Sequence, residues 1–446
     1  MDADADADTS GRAAPRLPRW SLLHGLAAGL DFDRYLRRRA REGDPFYLSF
    51  PGLAPVLFSG TSDGARELFR APITVVEPPR PNPIEPMVGT ASLILTAGER
   101  HRADRAIIGP KLHGSTIRDL AEVISAATES EINWTGDQMN TLTAGRRITL
   151  RVILTAVFGP LPESRAREFS SAVTDFLAAF IPPLLLAPAL RRGFAGRAPW
   201  DRFVAARGRL DRLILTEVGR RRREPATASP DLLDLLLATR YADGAAMTDT
   251  ELCEQLRTLI VAGHETTATS LAWALYHLHR DPELLERARA EAATATDPAE
   301  RARLPFLDGV CLETLRLHPP VPIVLRRLRE PWTWRGLALP AGTTLGLAVP
   351  LLHGDPATFE QPRVFDPDRF ATRRFSPFEY APFGGGHRRC VGAALADYEL
   401  RIVLATLLAG PRWALHPATA RGGGPRAVPR NLATGPNRAI QLTRTQ

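Results

Sequence analysis

The chain has 446 residues, 44% hydrophobic and 24% charged, which is enough apolar material for a large buried core and excludes disordered and fibrous classes. The net charge is +8, and the only lysine, Lys111, stands between Pro110 and Leu112. That excludes a phosphate loop ending in Gly-Lys-Ser/Thr and a Schiff-base lysine.

The arginines are scattered through every region, as a coding bias that replaces lysine would leave them, so no nucleic-acid partner is expected. The runs Arg37–Arg39 and Arg220–Arg223 read as solvated helix surface. Three cysteines, Cys253, Cys311 and Cys390, are too few and odd in number for a disulfide framework and point to a reducing cytoplasm.

The first eight residues bring acidic charge where a secretion signal needs basic charge, and residues 1–19 read as a flexible tail before a single domain over 20–446. Short strands are predicted at Phe46–Phe50 and Pro55–Phe58 around a Pro51-Gly52 turn. Five prolines between residues 77 and 90 predict a long irregular loop, and such loops are usually functional.

Apolar residues at three- and four-residue spacing predict helices over 115–133, 148–158, 163–180, 201–222, 230–239 and 249–280, the last stopped by Asp281-Pro282. The longest apolar stretch, Phe176–Leu190, is broken by Pro182, Pro183 and Pro188, so no membrane span is predicted. Short strands are expected over 321–352, a helix near 391–409, and strand-like pieces around Pro429–Leu442. The class is mainly α with a minor β portion, without internal repeats.

Two segments carry chemistry. In Phe383-Gly384-Gly385-Gly386-His387-Arg388-Arg389-Cys390-Val391-Gly392 a glycine-rich turn leads to a cysteine just before a helical pattern. Unpaired N–H groups and the positive end of a helix dipole lower a cysteine pKa, which suits a thiolate ligand. Gly386 and Gly392 would let the backbone close on a large flat cofactor, and Arg388 offers a fixed positive fork to an acidic group. In Ala262-Gly263-His264-Glu265-Thr266-Thr267 two small residues leave room beside the long helix, and an acid and a hydroxyl interrupt its apolar surface. On its own that pair also reads as capping or back-bonding. A zinc site is excluded, because Ala268 stands four residues after His264.

The first segment matches Phe-x-x-Gly-x-Arg-x-Cys-x-Gly, and the chain resembles the cytochrome P-450 monooxygenases of the soluble bacterial type from about residue 20 onward. The resemblance implies the cytochrome P-450 fold, with haem b (iron protoporphyrin IX) between the long distal helix and the helix after the cysteine loop. Cys390 would be the axial iron ligand, with Phe383, Gly386, Arg388 and Gly392 around the cofactor and Ala262 and Gly263 against its distal face. Glu265 and Thr266 would be the acid–alcohol pair; His264 falls at a variable position and takes no catalytic role.

Two haem carboxylates in a dry site need cations. His101, Arg105, Arg326 and Arg388 are implied for them, with Arg327 an alternative to Arg326. Glu-x-x-Arg occurs nine times here, but position selects Glu313-Thr314-Leu315-Arg316, which by resemblance joins Arg369 of Phe365-Asp366-Pro367-Asp368-Arg369-Phe370 to brace the cysteine loop. Asp368 stands where the family usually has glutamate. Cys253 and Cys311 read as core cysteines.

By the same resemblance the thiolate pushes electron density onto bound O2, Glu265 and Thr266 deliver protons, and hydroxyl is returned to a substrate carbon. Only 56 residues follow Cys390, so no flavin or nicotinamide domain is expected there. Electrons from NAD(P)H would arrive through a ferredoxin or flavodoxin and its reductase, docked on a basic face around Arg105, Arg388 and Arg389. The substrate would be a lipophilic small molecule, such as a fatty acid, terpenoid, steroid or polyketide. Its pocket would be lined by residues 80–94, 176–190, 259–262, 321–325 and 433–436, with Arg80, Asn82 and Glu85 to orient it. The protein would act as a cytoplasmic monomer in secondary metabolism. A peroxygenase or haem-thiolate isomerase would share the haem site without needing the acid–alcohol pair. A haem sensor or carrier would show no substrate-dependent O2 consumption.

Overall fold

The computed structural model describes residues 31–49, 54–224, 231–420, 423–430 and 433–445. The expected tail over 1–19 and the Pro51-Gly52 turn lie outside them. Twelve helices of seven residues or more are described: α1 Phe32–Ala40, α2 Ser62–Arg70, α3 Gly98–Ile108, α4 Ala121–Thr135, α5 Thr141–Phe158, α6 Glu163–Ala179, α7 Pro199–Arg221, α8 Leu232–Ala238, α9 Asp249–Arg280, α10 Pro282–Ala292, α11 Pro305–Leu317 and α12 Ala393–Ala409. The small β portion comprises β1 Phe46–Leu48, β2 Val56–Ser59, β3 Val76–Glu77, β4 Gln138–Asn140, β5 Ile323–Leu328, β6 Trp332–Trp334, β7 Leu337–Leu339, β8 Thr344–Ala348, β9 Trp413–Leu415, β10 Ala427–Arg430, β11 Ala433–Pro436 and β12 Gln441–Arg444.

Helix α9 organises the molecule. Its start is a capping box, in which Thr248 Oγ1 accepts from the Glu251 N–H and Glu251 Oε2 accepts from the Thr248 N–H. Its last turn carries His277, His279 and Arg280, and Pro282 starts the next helix. At 32 residues it is about 48 Å long. It is buried along most of its length, polar Gln255, Arg257, His264 and Glu265 included: it packs with α5 and α7 and, in its second half, with α10, α11 and α12. Helix α5 runs against it at glycine-sized separation. A side chain at Gly145 would sit 3.1 Å from the Ala268 carbonyl oxygen, and one at Gly263 would sit 2.8 Å from Ile153.

The main sheet has the order β1-β2-β8-β5-β3, antiparallel except for β2–β8. Strands β4, β12 and β9 form a second sheet that joins the middle of the chain to its end, and β6–β7 and β10–β11 are hairpins.

Several expectations need correction. The helix expected over 115–133 breaks into a single turn, Ser115–Arg118, and α4. Helix α5 begins seven residues before the expected 148, because Asn140 Oδ1 caps the Thr143 N–H in a stretch whose threonines and glycine hide the pattern. The proline loop is not wholly irregular: it holds the last residue of β3, Glu77, and a helical turn at Glu85–Val88, with Pro86 in the first turn, where its missing N–H costs nothing. Arg221 is not solvated surface. Its side chain is only 8% exposed, pairs with Asp231 and Asp234, and donates to the Phe158 carbonyl. Among the described residues no helix is long and apolar enough to cross a membrane.

Candidate haem site

The cysteine loop is closed by its own backbone. The Cys390 N–H donates to the Phe383 carbonyl at 2.9 Å, and a 3-10 turn over Gly386–Arg388 fills the space between. Gly386 has φ +67°, and a Cβ there would lie 2.3 Å from the Phe69 carbonyl oxygen, so the glycine run serves close packing on the end of α2. Gly392 faces open space. Phe383 is half-buried, with the Arg389 guanidinium 5.9 Å from its ring centre. Cys390 itself is exposed. Burial pushes its thiol up, against the opposing pull of the Gly392 N–H and of Arg389 and Arg105. The lowering expected from the helix terminus therefore does not dominate in the protein alone.

Beside this loop lies a knot of basic groups. His101 and Arg105 come from α3, Arg326 from β5, and His387 and Arg388 from the 3-10 turn. The rings of His101 and His387 meet edge to face at 6.1 Å. Burial, then Arg388, His387, Arg105 and Arg326 in that order, drive His101 down to about 3. Burial and the Arg326 and Arg388 charges take His387 to about 4. Arg326 falls to about 9 through burial and Arg388, and Arg388 to about 10 through burial and Arg105.

The guanidiniums satisfy only carbonyls: Arg105 donates to Arg389 at 2.6 Å, Arg388 to Thr96 at 2.8 Å and Ile94 at 2.7 Å, and Arg326 to Leu325 at 2.8 Å. Among the described residues none of the three has a carboxylate partner, and His101 Nδ1 and His387 Nε2 are buried without any partner. A cleft of about 500 Å³ opens here between Ile73, His101, Arg102, Arg105, Ala106 and His387. Crowded cations and orphaned imidazole nitrogens around a cleft fit a group carrying two carboxylates, which is what haem brings. Arg327 is engaged elsewhere, 2.6 Å from Glu77.

On α9, Thr266 Oγ1 donates to the Ala262 carbonyl at 2.8 Å, and Ser270 Oγ donates to the Thr266 carbonyl at 3.1 Å. The back-bonding reading of the hydroxyl is thus realised, and such bonds bend helices. Ala262 is half-buried. Gly263 needs correction as a cofactor-facing position, because Ile153 of α5 fills the space its side chain would take. Glu265 is 2% exposed, and both its oxygens accept from Arg146 of α5, at 2.8 and 2.5 Å. His264 is buried: its Nδ1 lies 3.1 Å from Thr149 Oγ1, which donates to the His264 carbonyl at 2.9 Å.

Glu313, Arg316 and Arg369 meet without solvent. Arg316 donates to both Glu313 oxygens at 2.6 Å, and Arg369 Nε to one of them at 3.4 Å. Asp368 pairs with Arg287, at 2.9 Å to each oxygen. Cys253 and Cys311 are buried. The polar candidates of the proline loop do not point inward: Arg80 and Glu85 are exposed, and Asn82 accepts from the Ile84 N–H of its own loop.

Sequence reasoning missed two participants. His387 occupies a variable position of the cysteine motif. Arg146 lies 119 residues from Glu265, and nothing in the pattern around it distinguishes it from the other arginines.

The family model for cytochrome P450 matches residues 13–422. A protein named cytochrome P450 138 from Mycobacterium tuberculosis is 31% identical over 409 residues, 89% of this chain and 89% of its own. Cytochrome P450 135B1 of the same organism is 32% identical over 415 residues, 90% of this chain and 85% of its own. Among solved structures, retinoic acid-bound cyanobacterial CYP120A1 superposes with a TM-score of 0.82 over 95% of this chain and 96% of that one. Its identity is 24%, so that likeness speaks for the fold.

Proposed function

This chain belongs to the cytochrome P450 family and is a haem-thiolate monooxygenase, and from that premise we propose that Cys390 holds the iron and that His101, Arg105, Arg326 and Arg388 hold the propionates of haem b. The observation that carries this reading is the closed Phe383–Cys390 loop beside basic groups that have no acid of their own. His387 joins the set, its free Nε2 available to a carboxylate or to water.

Bound haem supplies the reductive activation of O2, in which one oxygen atom enters a C–H bond and the other leaves as water, consuming two electrons and two protons. The protein's part is to hold, exclude and deliver. The arginines neutralise the carboxylates, each such bond contributing about 1.5–3 kcal/mol. Thr266, one turn beyond Ala262, offers a hydroxyl whose bond to that carbonyl can be exchanged for one to water. Glu265 is the proton source behind it, reached from solvent past the half-exposed Arg146.

The substrate is lipophilic: a fatty acid, terpenoid, steroid or polyketide. Supporting this are the apolar character of the expected lining segments and the retinoic acid held by CYP120A1. Electrons come from NAD(P)H through a ferredoxin or flavodoxin and its reductase. Arg389 is the cation of that face left to solvent for an acidic partner, since Arg105 and Arg388 are turned onto carbonyls and Arg102 is paired with Glu99. The enzyme works as a monomer in the cytoplasm, in secondary metabolism.

The first test is the carbon monoxide difference spectrum of the reduced protein. A strongly red-shifted Soret band, lost in Cys390→His, is expected. A spectrum of histidine-ligated haem in the wild type removes Cys390 from its role. Glu265→Gln and Thr266→Ala should keep the band and divert reducing equivalents from product to peroxide; unchanged coupling removes the acid–alcohol pair.

A further inference from the structure

One inner hydroxyl of α9 is bonded unlike its neighbours. Thr258 and Thr266 of α9, and Thr128, Thr155 and Thr314 of other helices, each donate to the carbonyl four residues back. Thr269 does not. It is 0% exposed, and among the described residues its Oγ1 is buried without any partner. Such a group is costly unless an ordered water takes it. Thr269 stands four residues beyond Glu265, so the two side chains share a face one turn apart.

The β10–β11 hairpin lies over that face. A Cβ at Gly435 of β11 would stand 3.5 Å from Thr269 Oγ1, 3.0 Å from Arg430 Cδ and 3.4 Å from Arg430 Nε, so the hydroxyl and the arginine border one small space. Arg430 is half-buried at the end of β10, and its Nε and Nη2 donate to the Pro436 carbonyl at 3.2 and 2.8 Å. Among the described residues it has no carboxylate of its own; burial and then the charge of Arg146 hold it below its ordinary value, and Glu265 pulls the other way. Two guanidiniums therefore stand around one buried acid, and only Arg146 is bonded to it.

Arg146 cannot pass a proton to that acid, because a guanidinium has donors only and stays protonated in a protein. A hydroxyl and a water can, since each donates and accepts, and each Glu265 oxygen keeps a second lone pair. We propose that Thr269 Oγ1 and Arg430 hold a relay water beside Glu265, and that protons from bulk water enter along the seam between β11 and α9. The step is proton transfer alone. The relay water gives up a proton as its O–H bond breaks and an O–H bond to Glu265 forms, and it takes a replacement from bulk water, with no change in electron count. Thr269 and Arg430 are positioning residues. The relay rests on Glu265 as proton source in the proposed function.

Two experiments test it. A crystal structure of the holoprotein should show a water within hydrogen-bond distance of Thr269 Oγ1 and the Arg430 guanidinium. Thr269 Oγ1 bonded instead to the Glu265 carbonyl, with no water there, overturns the proposal. Ring–disk voltammetry of the holoprotein on a graphite electrode, with O2 as the only substrate, reads water against peroxide without a redox partner. Thr269→Val, Arg430→Gln and Gly435→Ala, whose methyl would take the water's place, should each lower the water-to-peroxide ratio about five-fold, the equivalent of one hydrogen bond. Arg430→Lys should recover most of it, and in a Glu265→Gln background the same changes should have little further effect. Unchanged carbon monoxide spectra would show that the variants are folded and loaded. If Glu265→Gln lowers the ratio while Thr269→Val and Arg430→Gln do not, the relay falls and the acid–alcohol reading stands. If Glu265→Gln leaves the ratio unchanged, the acid–alcohol reading falls and the relay with it. Losses that add in full to that of Glu265→Gln also overturn the proposal, since the two residues would then act without the acid.

Discussion

Both carboxylate oxygens of Glu265 are taken by the guanidinium of Arg146, which reaches from α5 to the buried face of α9. About a third of the arginine side chain is exposed and almost none of the glutamate is. The pair therefore has one desolvated partner, and removing the other leaves a buried charge without a counterion. Arg146→Gln should destabilise the fold by about 1–3 kcal/mol, less than for a fully buried pair because Arg146 is partly hydrated. Glu265→Gln in the same chain should return most of that loss, since no ion then remains buried. Denaturant midpoints of the two single variants and the double variant check this; strictly additive losses would mean that the two side chains do not depend on each other.

A second ion cluster lies wholly inside. Glu313 accepts two bonds from Arg316, one from Arg369 and one from the Asp366 N–H, while Arg316 also donates to the His353, Pro362 and Val364 carbonyls. Glu313→Gln keeps the shape and leaves Arg316 without an anion, while Arg369 keeps Asp366 at 3.6 Å. The expected cost is about 3–5 kcal/mol in urea unfolding. A loss below about 1 kcal/mol would show that the carbonyls alone satisfy Arg316.

The propionate assignment separates two neighbours in sequence. Arg326 faces the basic knot and Arg327 is paired with Glu77. Arg326→Gln should speed haem transfer to an acceptor protein by roughly 10- to 100-fold, the equivalent of one charge-assisted bond. Arg327→Gln should leave the transfer rate near that of the wild type. Equal effects would mean that neither arginine contacts the carboxylates.

These relationships mark what a sequence can carry. The ends of α6, α7, α9 and α12 were legible because helix periodicity, caps and proline stops are local, and the cysteine loop was legible because its constraint lies within ten residues. The start of α5 was not, because Gly145 is tolerated there only through the approach of Ala268 on another helix. Gly263 looked like room for a cofactor for the same reason, since Ile153 lies 110 residues away. Arg146, the paired Arg221 and the Arg327–Glu77 pair were equally invisible: with 56 arginines in the chain, choosing a partner for any one carboxylate needs the third dimension.

His353 gives a prediction whose sign follows from its bonds. It is 1% exposed; its Nδ1–H donates to the Arg316 carbonyl at 3.1 Å, and its Nε2 accepts from the Ala381 N–H at 2.9 Å. A second ring proton would meet that N–H head-on, and burial, with the charge of Arg316 adding to it, holds the ring down to about 3 from an ordinary 6.5. Below pH 6.5 the unfolded chain takes up a proton that the folded chain refuses until about pH 3. The stabilisation is therefore complete above pH 6.5 and is lost progressively as pH falls through that window. Between pH 7 and pH 5 this ring should remove about 2 kcal/mol. Buried Glu399, whose carboxyl is pushed well above its usual range by burial, contributes with the opposite sign, so the measurement must be differential. Unfolding free energies of wild type and His353→Gln at pH 7 and pH 5 supply it. Whatever the variant loses at pH 7, its further loss on going to pH 5 should be about 2 kcal/mol smaller than that of the wild type. Parallel pH dependences would mean that the ring is protonated in the fold, with its bond to Ala381 already given up.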